Sequence, residues 1–221
     1  MLVCVVGADG AGKSTVTKLA AQELARRGVP IERVDRWDIV GNPETYAATR
    51  FMRPDVADTR LCVAEMPNPP RLLFLMWSIG MALLGRSGEP GPDAVTLLDG
   101  YWMKHAASEI VYGLDRSWVE AVTSGLPVPD AVIYLRLDPQ RAWERKRDGD
   151  VVPYECGMDP DCGEATFLAH QGRIQAVLDD WSATFGWTEV DADQPIEDVV
   201  STVVGALVRA DAAAGRSVTG V

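Results

Sequence analysis

The segment Gly7-Ala8-Asp9-Gly10-Ala11-Gly12-Lys13-Ser14 constrains this chain more than any other stretch. It matches G-x-x-x-x-G-K-[ST] and stands between an unbroken apolar run, Leu2–Val6, and a segment, Gly12–Arg27, with apolar residues at helical spacing (Val16, Leu19, Ala20, Leu24). Strand, glycine-rich turn and helix in that order make a phosphate cradle. Glycines let successive backbone N–H groups turn toward a β-phosphate, and the helix N-terminus adds partial positive charge. Lys13 reaches the outer phosphates and Ser14 offers its hydroxyl to Mg²⁺. The phosphate-binding set is therefore Gly7, Asp9, Gly10, Ala11, Gly12, Lys13, Ser14 and Thr15.

Short apolar runs recur at Pro30–Val34, Ala94–Leu98, Ala131–Leu137 and around Trp187–Val190, with gaps long enough for helical crossovers. Buried parallel strands read this way. The pattern predicts helices over Arg71–Leu84, Leu114–Ser124, Pro139–Arg147, Glu164–Phe185 and Ile196–Ala210, a turn over Ser87–Asp93 and a frayed tail over Ala212–Val221. The expected architecture is one α/β domain over residues 1–211, a five-stranded parallel sheet flanked by helices. Its cleft should open at the C-terminal strand ends.

With 221 residues, 47% of them hydrophobic, the chain can bury a full core, and its net charge of −11 disfavours nucleic-acid or anionic-membrane partners. A small-molecule acceptor fits better. No signal peptide and no apolar run of roughly 20 residues is evident, so a cytoplasmic location is expected. The four cysteines are scattered. Cys156 and Cys162, with His170 nearby, offer half a zinc site at unusually wide spacing, and free thiols in a mobile loop are the simpler expectation.

Val95–Asp99 ends a predicted central strand in a carboxylate, so Asp99 either holds Mg²⁺ or its water, contacts the acceptor, or caps the next helix. Arg136, Arg141, Arg145, Lys146 and Arg147 crowd ahead of the Gly/Asp/Pro-rich segment Asp148–Gly163, which reads as a lid. Cations on a closing lid neutralise charge on a transferring phosphoryl group. Arg141 and Arg145, one helical turn apart, are the first candidates.

The chain resembles the thymidylate kinase family of P-loop nucleoside monophosphate kinases along most of its length. The resemblance rests on the phosphate loop with an acid at its third position (Asp9), on Asp99-Gly100-Tyr101 at the place of an Asp-Arg-Tyr/His motif, on Pro129–Leu135, and on Asp191–Pro195. It implies ATP and Mg²⁺, a nucleotide acceptor, Asp9 toward the acceptor sugar, catalytic arginines on the lid and a homodimer. The departures fall on the acceptor side. Gly100 and Ser78 stand where the family has arginines that hold the acceptor phosphate, and His105 and Ser108 stand where family side chains meet the thymine ring.

Val34–Asp38 follows the second strand toward the cleft. There Arg36 would serve a phosphate acceptor, whereas Asp35 or Asp38 would serve as base for a hydroxyl acceptor. Arg50, Arg53, Arg71 or Lys104 would supplement Arg36. Trp37, Phe74, Tyr101 and Trp102 are candidates to stack on a planar acceptor, with His105 as a hydrogen-bonding pocket residue. Three readings follow: a kinase for a nucleotide or nucleoside-like molecule, a hydroxyl kinase acting on a nucleoside or secondary metabolite, and an NTP-binding regulator with little turnover. No Asn-Lys-x-Asp element for guanine is present, which favours ATP.

Overall fold

A computed structural model describes residues 1–42, 45, 56–85, 94–149 and 151–213. The expected turn at 87–93, Arg50, Arg53 and residues 214–221 lie outside them. The chain alternates strands and helices: β1 (Leu2–Val6), α1 (Lys13–Arg26), β2 (Ile31–Val34), α2 (Val56–Glu65), α3 (Asn68–Leu84), β3 (Val95–Asp99), α4 (Trp102–Val111), α5 (Arg116–Thr123), β4 (Ala131–Arg136), α6 (Pro139–Lys146), α7 (Glu164–Phe185), β5 (Thr188–Asp191) and α8 (Ile196–Ala213).

The five strands are all parallel in the order β2-β3-β1-β4-β5. β1 is central because it is the apolar run that both neighbours cover. The fold departs from the sequence expectation mainly at helix ends. α3 begins at Asn68 because Pro69 and Pro70 fit a first turn, where no N–H is needed. α8 runs to Ala213, into the segment expected to fray, and alanines favour that. α2 has no clear apolar periodicity and was not expected.

Helices cover both faces of the sheet. One face buries Trp37, Leu72, Leu75, Met103, Ile174 and Trp181, and the other buries Val16, Leu24, Phe167, Val199 and Leu207. Register then positions the site. Val5 pairs with Asp99 and Val6 with Tyr134, so the end of β3 lies beside the start of the phosphate loop. The β1–β3 order reversal leaves a crevice at the C-terminal strand ends.

Candidate functional site

The phosphate loop wraps the N-terminus of α1. Gly12 caps that helix at φ +86°, a left-handed conformation that a side chain would strain. The Lys13 ammonium donates to the Ala8 carbonyl at 2.9 Å, and the Ser14 hydroxyl donates to Asp99 Oδ1 at 3.3 Å. Arg33, on β2, holds the other Asp99 oxygen at 2.9 Å.

These groups line a cavity of about 470 Å³. Asp35, Arg36 and Trp37 enter it from the turn after β2, Arg60 and Val63 from α2, Arg71 and Leu75 from α3, and Tyr101, Lys104 and His105 from the start of α4. Lys146, at the end of α6, and Tyr154 and Glu155 beyond it complete the lining. Lys104 pairs with Asp9 at 2.7 Å, and Lys146 pairs with Glu155. Four buried polar atoms on the cavity wall make no hydrogen bond among the described residues: Arg36 Nε, Trp37 Nε1, His105 Nδ1 and Asp9 Oδ2, the last held only by its ion pair with Lys104. A buried donor without a partner is costly, so the first three mark where a ligand would complete the structure.

Electrostatics follow from crowding. Burial works to raise the Asp9 carboxyl, but the ammonium groups of Lys104, Lys13 and Lys146 together hold it below the usual carboxylate range. Burial is also the largest influence on Lys13 and pulls its ammonium down to about 8, with Asp9 opposing and Lys104 reinforcing. Desolvation, helped by Arg36 and Lys104, keeps His105 well below the normal histidine range. Burial and the nearby Asp35 raise Asp99, against Ser14, Arg33 and Lys13.

Several side chains sit elsewhere than the sequence suggested. Arg141 and Arg145 do not line the cavity. They bind Asp193 (3.0 Å and 3.5 Å), and Arg145 also donates to Ala192 O, so they tie α6 to the loop after β5. At 100° per residue the next position, Lys146, turns inward instead. Phe74 packs on Trp77, and Trp102 packs on Trp181 beside the first residues of β4 and β5. Neither ring reaches the cavity, because both fill the core beneath it. Tyr101 lines the cavity, but its hydroxyl donates to Pro127 O at 2.8 Å.

Arg71 also reaches the wall with its guanidinium already engaged. It binds Glu109 at 2.5 Å and 3.1 Å, Met66 O at 2.8 Å and Asn68 Oδ1 at 3.0 Å, and its side chain is 1% exposed. Asp35 and Asp38 cap their own turn: Asp35 Oδ1 accepts from Trp37 N and Asp38 Oδ2 accepts from Asp35 N, each at 2.9 Å. Asp38 is absent from the cavity wall.

Residues 151–163 do not form a loop with free thiols. A 3₁₀ turn, Pro153–Cys156, is closed by a disulfide between Cys156 and Cys162, which replaces both the free thiols and the zinc alternative. Among the described residues no cluster of three His, Cys, Asp or Glu side chains is arranged to hold a metal. Tyr154 donates to Glu109 at 3.1 Å and stacks on Tyr112. Gln171 on α7 accepts from Asp9 N at 3.4 Å and donates to Glu155 O at 2.8 Å, joining the phosphate loop to the turn Pro153–Cys156. Tyr154, Glu155, Gln171, Arg33 and Arg60 were not legible as site residues, since no motif or periodicity marks them. Among the described residues no helix is long and apolar enough to cross a membrane.

Parallel strands in the order 2-3-1-4-5, with a phosphate loop rising from the central strand, are the architecture of the P-loop kinases. The chain is 30% identical over 149 residues to a probable thymidylate kinase of Sulfurisphaera tokodaii, covering 67% of this chain and 70% of that one. It belongs to the thymidylate kinase family and is a nucleotide kinase. A thymidylate kinase of Schizosaccharomyces pombe is 25% identical over 207 residues, spanning 92% of this chain and 89% of its own. A thymidine kinase of Ictalurid herpesvirus 1 is 26% identical over 220 residues, spanning 95% and 86%. No family model matches the chain.

Proposed function

We propose that the protein transfers the γ-phosphoryl group of Mg²⁺·ATP to the phosphate of a nucleoside monophosphate of the thymidylate type. The observation that carries this reading is the charge of the cavity at the phosphate loop. Lys13, Arg36, Arg60, Lys104 and Lys146 line it together and outnumber the carboxylates Asp9, Asp35, Asp99 and Glu155, and Arg36 Nε is buried there without a hydrogen-bond partner among the described residues. An anionic acceptor needs cations for positioning more than it needs a base.

The donor set fits the implied cofactors. Ser14 Oγ and an Asp99 carboxylate oxygen, 3.3 Å apart at a strand end, are the hard oxygen ligands that Mg²⁺ prefers. When bound, the metal would supply charge neutralisation for the transferring group. The amides at the α1 N-terminus and Lys13 would hold the donor phosphates. Arg36 and its neighbours would orient the acceptor, and the lid would exclude water. Asp9, held ionised, is available to accept from an acceptor hydroxyl.

A nucleoside acceptor is the second reading, supported by the similarity to the viral thymidine kinase. It needs a base, and Asp35, one of the carboxylates lining the cavity, would supply it. Comparing ADP release with thymidine and with thymidylate separates the two. Turnover with thymidylate alone supports the first reading, and turnover with thymidine alone replaces it with the second.

A further inference from the structure

We propose that Lys104 is the cation that seats the acceptor phosphate and so makes the site prefer a nucleoside monophosphate over the corresponding nucleoside. The inference rests on reading the cavity as the phosphotransfer site.

Gly100 follows Asp99 at the end of β3. Gly100 brings no charge, its φ is +77°, and a Cβ placed there would meet nothing within 4 Å. The turn therefore leaves open room beside the Asp99 carboxylate. One helical turn further, Lys104 projects from α4 into the same cavity. Its side chain is 10% exposed, and its ammonium lies 2.7 Å from Asp9 Oδ2 and 5.6 Å from the centre of the Tyr154 ring. Helix, phosphate loop and lid all constrain it.

A lysine ammonium carries three donors, and Asp9 cannot use them all. Asp9 is also shared, because the Lys13 and Lys146 ammonium groups act on the same carboxylate. Lys146 has its own partner in Glu155. Asp99 also acts on Lys13 and Glu155 on Lys104, yet the cavity cations Lys13, Arg36, Arg60, Lys104 and Lys146 outnumber its carboxylates Asp9, Asp35, Asp99 and Glu155, so positive charge remains where Lys13 and Lys104 meet at Asp9. Lys13 belongs to the donor phosphates. The charge at Lys104 is then compensated by a second phosphate, brought by the acceptor.

Arg71 and Arg36 do not make Lys104 redundant. Arg71 is saturated by Glu109, Met66 and Asn68, and Arg36 comes from a different element, the turn after β2, with its guanidinium 4.6 Å from the Trp37 ring centre. Two cations from separate elements fix a phosphate more firmly than one. A nucleoside would bring nothing to this group, and a site built around a polar partner rejects the analogue that lacks it.

The test measures wild type, Lys104→Met and Lys104→Arg for thymidylate and thymidine binding by competition, and for ADP release with ATP. The monophosphate-over-nucleoside preference should fall about 10- to 100-fold in Lys104→Met, the range of a lost charge-assisted hydrogen bond. The KM for thymidylate should rise by a similar factor while the KM for ATP stays within about twofold, and Lys104→Arg should recover most of the preference. Unchanged preference in a Lys104→Met protein that still binds ATP overturns this inference alone. A wild-type protein that neither binds nor turns over thymidylate overturns it together with the reading it rests on.

Discussion

The Ser14 hydroxyl donates to Asp99 Oδ1 across 3.3 Å, joining the first turn of α1 to the end of β3. The contact exists because Val5 pairs in register with Asp99. If these two oxygens hold Mg²⁺, Ser14→Ala and Asp99→Asn should each lower kcat by at least about 100-fold, the scale of a metal clamp worth several kcal/mol. A Mg²⁺ titration of turnover checks the cause, with both variants requiring more metal. Unchanged metal dependence in both would remove Asp99 from this role.

Lys13 gives a pH signature. Its ammonium is lowered to about 8, with burial as the largest cause. Donor phosphates favour the charged form, so binding must draw a proton onto Lys13 at higher pH. Affinity for ATP should therefore fall as pH rises through about 8, and calorimetry in buffers of different ionisation enthalpy should show proton uptake there. In the unliganded protein the sign is opposite. The unfolded chain holds this proton more tightly, so Lys13 adds stability as pH climbs from about 8 toward the ordinary lysine range.

The lid cations should differ in weight. Lys146 lines the cavity, whereas Arg141 binds Asp193 and Glu144 outside it. Lys146→Met should lower kcat about tenfold or more, the scale of one charge-assisted contact, and Arg141→Ala should change it less than about threefold. Steady-state kinetics with both substrates saturating decides this, and the reverse ranking would restore Arg141 as the lid cation.

Arg71 and Glu109 form a pair with side-chain exposures of 1% and 0%. Removing one partner strands the other charge in the core. Arg71→Met should cost about 3–5 kcal/mol in denaturant unfolding. A loss under about 1 kcal/mol would show that Glu109 finds another partner or a proton.

The lid disulfide should hold Tyr154 and Glu155 against the cavity. It closes a short ring from Cys156 to Cys162, worth about 2 kcal/mol by chain entropy. Reduction, or Cys156→Ser with Cys162→Ser, should speed proteolysis of the lid and raise the acceptor KM severalfold. Identical proteolysis rates in the two redox states would contradict it.

The sheet was legible because buried parallel strands read as continuous apolar runs, and α1 because the phosphate motif needs it. Glu164–Phe185 matched to the residue, with Gly163 and Gly186 bounding it. Of the acceptor-side candidates, Asp35, Arg36, Trp37, Arg71, Tyr101, Lys104 and His105 line the cavity, but how each is engaged was not legible, because that depends on distant partners. Arg71 looked free until Glu109, 38 residues on, was brought against it. Trp102 and His105, three residues apart, face different neighbours, since Trp181 claims the indole. Tyr154 and Glu155 reach the cavity through a disulfide and through Gln171, and local pattern carries neither.

ADP release with ATP, Mg²⁺ and thymidylate, run beside Lys13→Ala, tests the central claim most directly. The account predicts thymidylate-dependent ADP release that Lys13→Ala abolishes, with thymidine diphosphate as the second product. Absence of any phosphorylated product with thymidylate and the other nucleoside monophosphates, from a folded protein that binds ATP, would contradict it.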